Sequence, residues 1–167
     1  NPGGRLAVTF PKSVGQIPFA FPFKPGSDES SETSVYGALY PFGHGLSYTT
    51  FQYSDLAISP SKQGVQGNIS ISCTIKNIGQ REGDEVVQLY LRDEVSSVTT
   101  YTQVLRGFER ITLKPEASHT VHFELTPQEL GIWDKQMNFT VEPGMFKVMI
   151  GSSSKDIRLK GEFEIAQ

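Results

Sequence analysis

The sequence predicts an all-β fold: two antiparallel sheets packed as a sandwich behind an irregular N-terminal extension. From Phe51 onward apolar residues recur at every second position, turn-forming clusters separate the runs, and the runs number about seven across residues 51–167. Ile69, Ile71, Cys73 and Ile75 alternate with Ser70, Ser72 and Thr74. Val87, Leu89 and Leu91 alternate with Gln88, Tyr90 and Arg92, and Val121, Phe123 and Leu125 with His122 and Glu124. Phe146, Val148 and Ile150 alternate with Lys147 and Met149, and Phe163 and Ile165 with Glu162 and Glu164. Each run turns one apolar face inward and one polar face to water, the pattern of antiparallel sheets covered on one side. Residues 51–58 and 105–113 complete the set. Asn77-Ile78-Gly79, Lys114-Pro115-Glu116 and Glu142-Pro143-Gly144 supply the turns. That number and spacing of strands give an immunoglobulin-like arrangement.

Cys73 falls on the inward register of its strand and is expected to be a buried, inert thiol. Most phenylalanines also fall on inward positions, so exposed aromatics are expected to be scarce. Only Thr126-Pro127-Gln128-Glu129-Leu130 reads as helical, with Thr126 as the cap and Pro127 at the first helical position, for about one turn.

The extension follows other rules. Asn1-Pro2-Gly3-Gly4 is turn chemistry, and Leu6, Val8 and Phe10 then alternate with Ala7 and Thr9 as a strand closed by Pro11. A turn leading straight into a strand is expected of the middle of a domain. The chain, which opens without Met or a signal peptide, is therefore expected to be a C-terminal piece of something longer or a processed product. The alternative is a chain trimmed to its ordered part. Residues 12–50 show no sustained period. Ile17-Pro18-Phe19 and Phe21-Pro22-Phe23 are extended, because proline removes a donor and biases its predecessor away from helix. Residues 26–34 are small and acidic and are expected to form a mobile loop. Residues 39–48 are dense in aromatics and glycines and cannot form a core alone. They are expected to adhere to what they join.

Composition excludes several functions. Fifteen Lys+Arg stand against eighteen Asp+Glu, a net charge of −3 that gives no bulk basic face for nucleic acid. No apolar run is long enough to span a membrane as a helix. A single cysteine rules out an internal disulfide framework and a cysteine-based zinc site.

A search for catalytic machinery nominates no residue. His44, His119 and His122 lack the spacing of a metal site, and His122 shares the outward face of its strand. Gly43-His44-Gly45 lacks the lysine and the strand-to-helix context of a phosphate loop and reads as a tight turn. Adjacent Asp84-Glu85 and Asp93-Glu94 point to opposite sides of a strand, so neither forms the facing pair that glycoside hydrolysis needs. Glu162 and Glu164 share a face, but beside Arg158 and Lys160 they read as a solvated edge. Asn68-Ile69-Ser70 and Asn138-Phe139-Thr140 match the glycosylation acceptor pattern, a triplet common by chance. Trp133, the sole tryptophan, is either a packing residue or an exposed platform on which a sugar stacks.

Several segments together carry a family resemblance: residues 1–18 (NPGGRLAVTFPKSVGQIP), 40–51 (YPFGHGLSYTTF), 77–93 (NIGQREGDEVVQLYLRD), 105–115 (LRGFERITLKP) and 142–154 (EPGMFKVMIGSSS). In this order they resemble the C-terminal portion of glycoside hydrolase family 3 enzymes, the β-glucosidase and β-xylosidase group. The resemblance implies a three-domain parent. A (β/α)8 barrel carries the aspartate nucleophile, an α/β sandwich commonly carries the acid/base glutamate, and a fibronectin type III-like sandwich closes the chain. Residues 1–18 would then be the last strand and exit of the middle domain, 19–50 the connector, and 51–167 the fibronectin type III-like sandwich.

No catalytic, cofactor-binding or metal residue carries over, so the chain alone is expected to lack glycosidase activity. Its implied partners are the upstream catalytic domains of the same polypeptide, which would hydrolyse terminal β-D-glycosides with retention. The sandwich would stabilise them by packing. An independent carbohydrate-binding module built on Trp133 is the alternative, and a surface adhesion domain a third reading. Periplasmic or secreted placement follows from the resemblance only. The chain departs from the family in the connector. Residues 19–26 (FAFPFKPG) replace an Asn-His-Lys-Pro-type stretch, and His44 stands where a tyrosine is frequent.

Overall fold

The structure, a computed structural model, describes residues 1–16, 20–25 and 37–167. The Ile17-Pro18-Phe19 stretch and the acidic 26–34 loop lie outside the described residues. The strands are β1 (Phe10–Pro11), β2 (Ala38–Tyr40), β3 (Phe51–Ser59), β4 (Lys62–Gly64), β5 (Ile69–Asn77) and β6 (Gly83–Asp93), then β7 (Val104–Leu113) and β8 (Ser118–Leu125). After a single helical turn, α1 (Pro127–Leu130), come β9 (Ile132–Trp133), β10 (Phe139–Thr140), β11 (Gly144–Gly151) and β12 (Ile157–Ala166).

Two sheets form the sandwich, one ordered β4-β12-β11-β6-β7 and the other β3-β5-β8. Every run read from periodicity beyond Phe51 becomes one of their long strands. The inward residues meet between the sheets: Ile69, Ile71, Ile75, Val87, Leu89, Val121, Leu125, Val148 and Ile150 are fully shielded from water. Phe146 and Phe163, directly opposite each other on β11 and β12, stack with ring centroids 5.4 Å apart. Such cross-strand aromatic pairs add to the burial that holds a sheet together. Cys73 is buried among them, and burial pushes its thiol up to about 11. Thr126 caps α1 as expected: its hydroxyl accepts from Gln128 N, while the Glu129 carboxylate accepts from Thr126 N at 2.8 Å.

The sandwich differs from the expectation in four respects. Residues 5–9 form no strand. Leu6 pairs its backbone with Gly43 and His44 instead, and only Phe10–Pro11 makes a short ladder, with β2. An alternating pattern needs a neighbouring strand to become one, and β2 reaches only Phe10 and Pro11. Next, Gln88 and Tyr90 are buried although their register points outward, because the connector covers that face. Third, β12 is no edge. The three-residue β4 runs parallel beside it, and Lys62 Nζ lies 2.8 Å from Glu164 Oε1. Last, aromatics besides Trp133 are exposed on the sandwich: Phe108 on edge strand β7 is 68% exposed and Phe139 47%.

One turn residue has become structural. Asn77 ends β5 fully buried. Its Nδ2 donates to the carbonyls of Arg81 and Leu113 at 2.7 and 2.9 Å, and its Oδ1 accepts from Gly79 N and the Thr49 hydroxyl at 3.0 and 2.7 Å. The side chain thereby ties β5, the β5–β6 turn, the end of β7 and the connector. Asn77→Ala should leave buried carbonyls without donors and cost about 2–3 kcal/mol. Urea denaturation followed by tryptophan fluorescence measures this. A change within ~0.5 kcal/mol would show that the amide does not organise the turn.

Candidate functional site

The residues weighed for chemistry in the sequence are scattered. His44 stacks on Tyr40 with centroids 5.1 Å apart, His119 Nε2 lies 3.5 Å from Glu109 Oε1, and His122 is exposed opposite Ser72. Among the described residues no group of three or more His, Cys, Asp or Glu could hold a metal ion. Asp84 and Glu85 diverge. Asp84 accepts from Thr112 at 2.6 Å and pairs with Arg110, and these bonds hold its carboxyl below the usual range. Glu85 turns to Arg5. Glu94 bridges Arg92 and Lys147 at 3.0 and 2.8 Å, whereas Asp93 accepts from Val95 N and is raised by burial. Asn68 and Asn138 are both exposed.

What the structure does assemble is a seam between the extension and β6, with Gln88 and Tyr90 on the strand's outward register and Glu85 on its inward one. It has a charged end and an aromatic end. At the charged end Arg5 Nη2 donates to Glu85 Oε1 at 2.5 Å, with both side chains nearly buried. Burial raises the Glu85 carboxyl, and the Arg5 charge and hydrogen bond work against that rise. Asn1 adds polar ties, its Oδ1 accepting from Tyr48 N at 2.6 Å and its Nδ2 donating to the Ser47 hydroxyl at 3.0 Å.

In the middle, Leu6 N donates to His44 O at 2.9 Å and Gly43 N to Leu6 O at 2.8 Å, so the two arms of the extension brace each other. The Gln88 amide donates to Gly43 O at 3.2 Å and Ser152 O at 2.6 Å, and Tyr90 Oη donates to Gln88 Oε1 at 2.5 Å. Position 43 must be glycine for two reasons. Its φ is +80°, and a Cβ there would lie 2.1 Å from Gln88 Oε1.

At the aromatic end Phe21 and Phe42 stack at 4.5 Å, and Phe21 meets Tyr90 edge-on at 5.7 Å. Ser154 N donates to Phe42 O at 3.0 Å and Thr102 N to Phe23 O at 2.8 Å, which fix the strap to the loops at its sides.

The aromatic density of the connector signalled this adhesion. Arg5, Gln88 and Tyr90 gave no such signal, because each sits in an ordinary position of a turn or an alternating strand, whereas Glu85, a charge in the inward register of Val87 and Leu89, was the one visible irregularity. The seam can do no chemistry of its own. Its carboxylate is committed to Arg5, its amide is saturated, and its aromatics are packed on one another. What it can do is hold the extension rigidly on the sandwich.

Two outcomes follow. Glu85→Ala leaves the Arg5 guanidinium buried without its counter-charge and should cost about 3–5 kcal/mol in chemical denaturation, whereas an apolar replacement of both residues should recover most of that loss. Because burial raises the Glu85 carboxyl in the folded state, its contribution to stability is full at acidic pH. It declines as pH climbs from the ordinary glutamate range through the raised value. Glu85→Gln should flatten that part of the stability–pH curve. An unchanged slope would show that Glu85 does not titrate with folding.

Comparison with known proteins places the seam in a lineage. A model of the fibronectin type III-like domain matches residues 85–154. The chain is 41% identical, over 99% of its length, to a periplasmic β-glucosidase of Salmonella typhimurium, and 43% identical, over 96%, to a β-xylosidase of Formosa agariphila. A β-glucosidase from Erythrobacter marinus superposes with a TM-score of 0.92 at 35% identity, covering 98% of this chain and 22% of that one. A β-glucosidase from Listeria innocua, solved with glucose, superposes with a TM-score of 0.88 at 30% identity, covering 99% and 24%. In each case the match includes the extension as well as the sandwich, and the chain spans about a quarter of the relative's length. By strand order, core and sequence, the chain belongs to the fibronectin type III-like domains, in the form carried with its connector by the β-glucosidases and β-xylosidases of glycoside hydrolase family 3.

Proposed function

We propose that this chain is the non-catalytic structural part of a retaining β-glycosidase, packing on the catalytic domains of a longer polypeptide and stabilising them. The observation that carries this is that the extension is fastened to β6 yet leaves apolar residues in water. Arg5, Gly43 and the Phe21–Phe42 stack hold it to the strand. Val8, Phe10, Val14, Leu39, Leu46 and Tyr48 stay exposed, with Val14 at 96% and Tyr48 at 71%. Apolar side chains gathered on one segment mark a surface awaiting a partner.

The coverage of the relatives supports a partner within the same polypeptide. A parent acting on terminal β-D-glycosides with retention would set its two carboxyl groups about 5–5.5 Å apart in those other domains. The domain described above would act on that geometry only by holding the adjoining domain in place. Periplasmic or secreted placement accords with the Salmonella relative, and no helix among the described residues is long and apolar enough to cross a membrane.

The test has two arms. The purified chain should release no nitrophenol from aryl β-glucosides or β-xylosides. In the full-length polypeptide, Phe42→Ala removes a ring from the seam and should lower stability by about 2 kcal/mol. The half-life at elevated temperature should shorten while kcat/KM at 25 °C stays unchanged. Hydrolysis by the chain alone, or a kcat/KM that falls with unaltered thermal stability, would overturn the structural reading.

A further inference from the structure

A second surface lies at the far end of β6 from the charged end of the seam. Asn1 and Thr49 crowd Gly83 and Arg5 engages Glu85 at the start of the strand, whereas Trp133 shares a cavity wall with Leu91 and Asp93 at its end. Eleven residues of strand separate the two poles, on the order of 30 Å.

At that pole the β9–β10 ladder presents Trp133 and Phe139 as cross-strand partners, 59% and 47% exposed, with ring centroids 5.5 Å apart and planes at 61°. The pair is held rigid. Asp134 Oδ1 accepts from Gln136 N and Asn138 N at 2.8 Å each, and Asp134 N donates to Asn138 O at 3.0 Å. The Phe139 ring occupies the space a side chain at Gly131 would need, since a Cβ there would lie 2.3 Å from Phe139 Cζ.

The rings open onto a groove of about 770 Å³ whose lining includes Gln66 and Gln128. Val65, Pro127, Thr140 and Val141 complete the walls, and no Asp, Glu, Lys or Arg lines it. Both glutamines are exposed, and neither carboxamide has a hydrogen-bond partner among the described residues. The capping box of α1 holds the backbone of Gln128 in place.

We infer that this groove is a binding site for neutral β-linked pyranosides, with Trp133 as the stacking platform and Gln66 and Gln128 as the hydrogen-bonding flanks. In β-linked glucose and xylose every ring substituent is equatorial, so the axial C–H groups form the faces and the hydroxyls the rim. An aromatic face answers the former and a carboxamide, both donor and acceptor, answers the latter. The uncharged lining selects against uronic acids and phosphorylated sugars. Fixing the rings before the ligand arrives spares the ordering cost of binding. The exposed apolar residues of the extension do not line this groove. The inference does not rest on the structural role: a chain that binds no sugar could still support its neighbours.

Trp133 is the only tryptophan of this chain, so its intrinsic tryptophan fluorescence reports on the surroundings of that ring. Titration of the chain with cellohexaose and xylohexaose should give a saturable change with one of them at micromolar to millimolar concentration. Calorimetry should show affinity falling at least about tenfold in Trp133→Ala and about threefold in Gln128→Ala, with Trp133→Phe between wild type and alanine. Circular dichroism checks the fold, and the Gln128→Ala comparison stands even where Trp133→Ala fails to fold. No saturable change with either oligosaccharide would overturn the assignment, as would equal affinity in folded Trp133→Ala. So would sedimentation showing that Trp133 mediates self-association, or protection of Trp133 from quenchers in the full-length polypeptide.

Discussion

The structure depends on β6 being buried on both faces. A strand of an antiparallel sandwich ordinarily keeps one face in water, and the Gln88 carboxamide and Tyr90 ring would be at ease there. Here they are sealed under Gly43 and the Phe21–Phe42 stack. Covering them removes their water, so every polar atom must find a protein partner. Tyr90 Oη donates to Gln88, and Gln88 donates to Gly43 and Ser152. The connector is therefore part of the sheet's solvation, and peeling it away would expose a ring and break a closed polar chain together.

The charged end of the same seam works by different physics. Arg5 and Glu85 are nearly buried, and taking two charges out of water costs more than an exposed pair returns. Such a pair contributes little net stability against an apolar alternative, but it tolerates no wrong partner. It sets the position of residues 1–6 along β6. Asn77 performs the neutral version of this task, anchoring Thr49 at the other arm of the extension. Between them the two anchors hold both arms of the extension on the sandwich.

The extension follows β6 for most of its length, and the Trp133–Phe139 pair stands apart from it on a hairpin braced by Asp134, beside a groove without charge. Rigid aromatics are costly to leave in water, and α1, β9 and β10 are arranged to keep them there.

Periodicity alone made the long strands legible. Ile69 to Ile75 and Phe146 to Ile150 alternate so regularly that a slip of one residue would place their apolar set in water. The cap on α1 was equally plain, because Thr126 and Pro127 act on their own backbone. Neither the seam nor the groove could be read in this way. Gln88 obeys the alternation of a solvated strand, whereas Glu85 puts a carboxylate in the inward register of Val87, and only the arrival of Gly43 and Arg5, 45 and 80 residues distant in sequence, decides what surrounds them. The alternation of Leu6, Val8 and Phe10 promised a strand, yet a strand is a property of a pair, and β2 meets only Phe10 and Pro11. Sequence by itself determined which residues avoid water, since that preference is local and recurs with the geometry of the backbone. Tertiary structure decided which polar residues lose their water, because desolvation depends on what the rest of the chain lays over them.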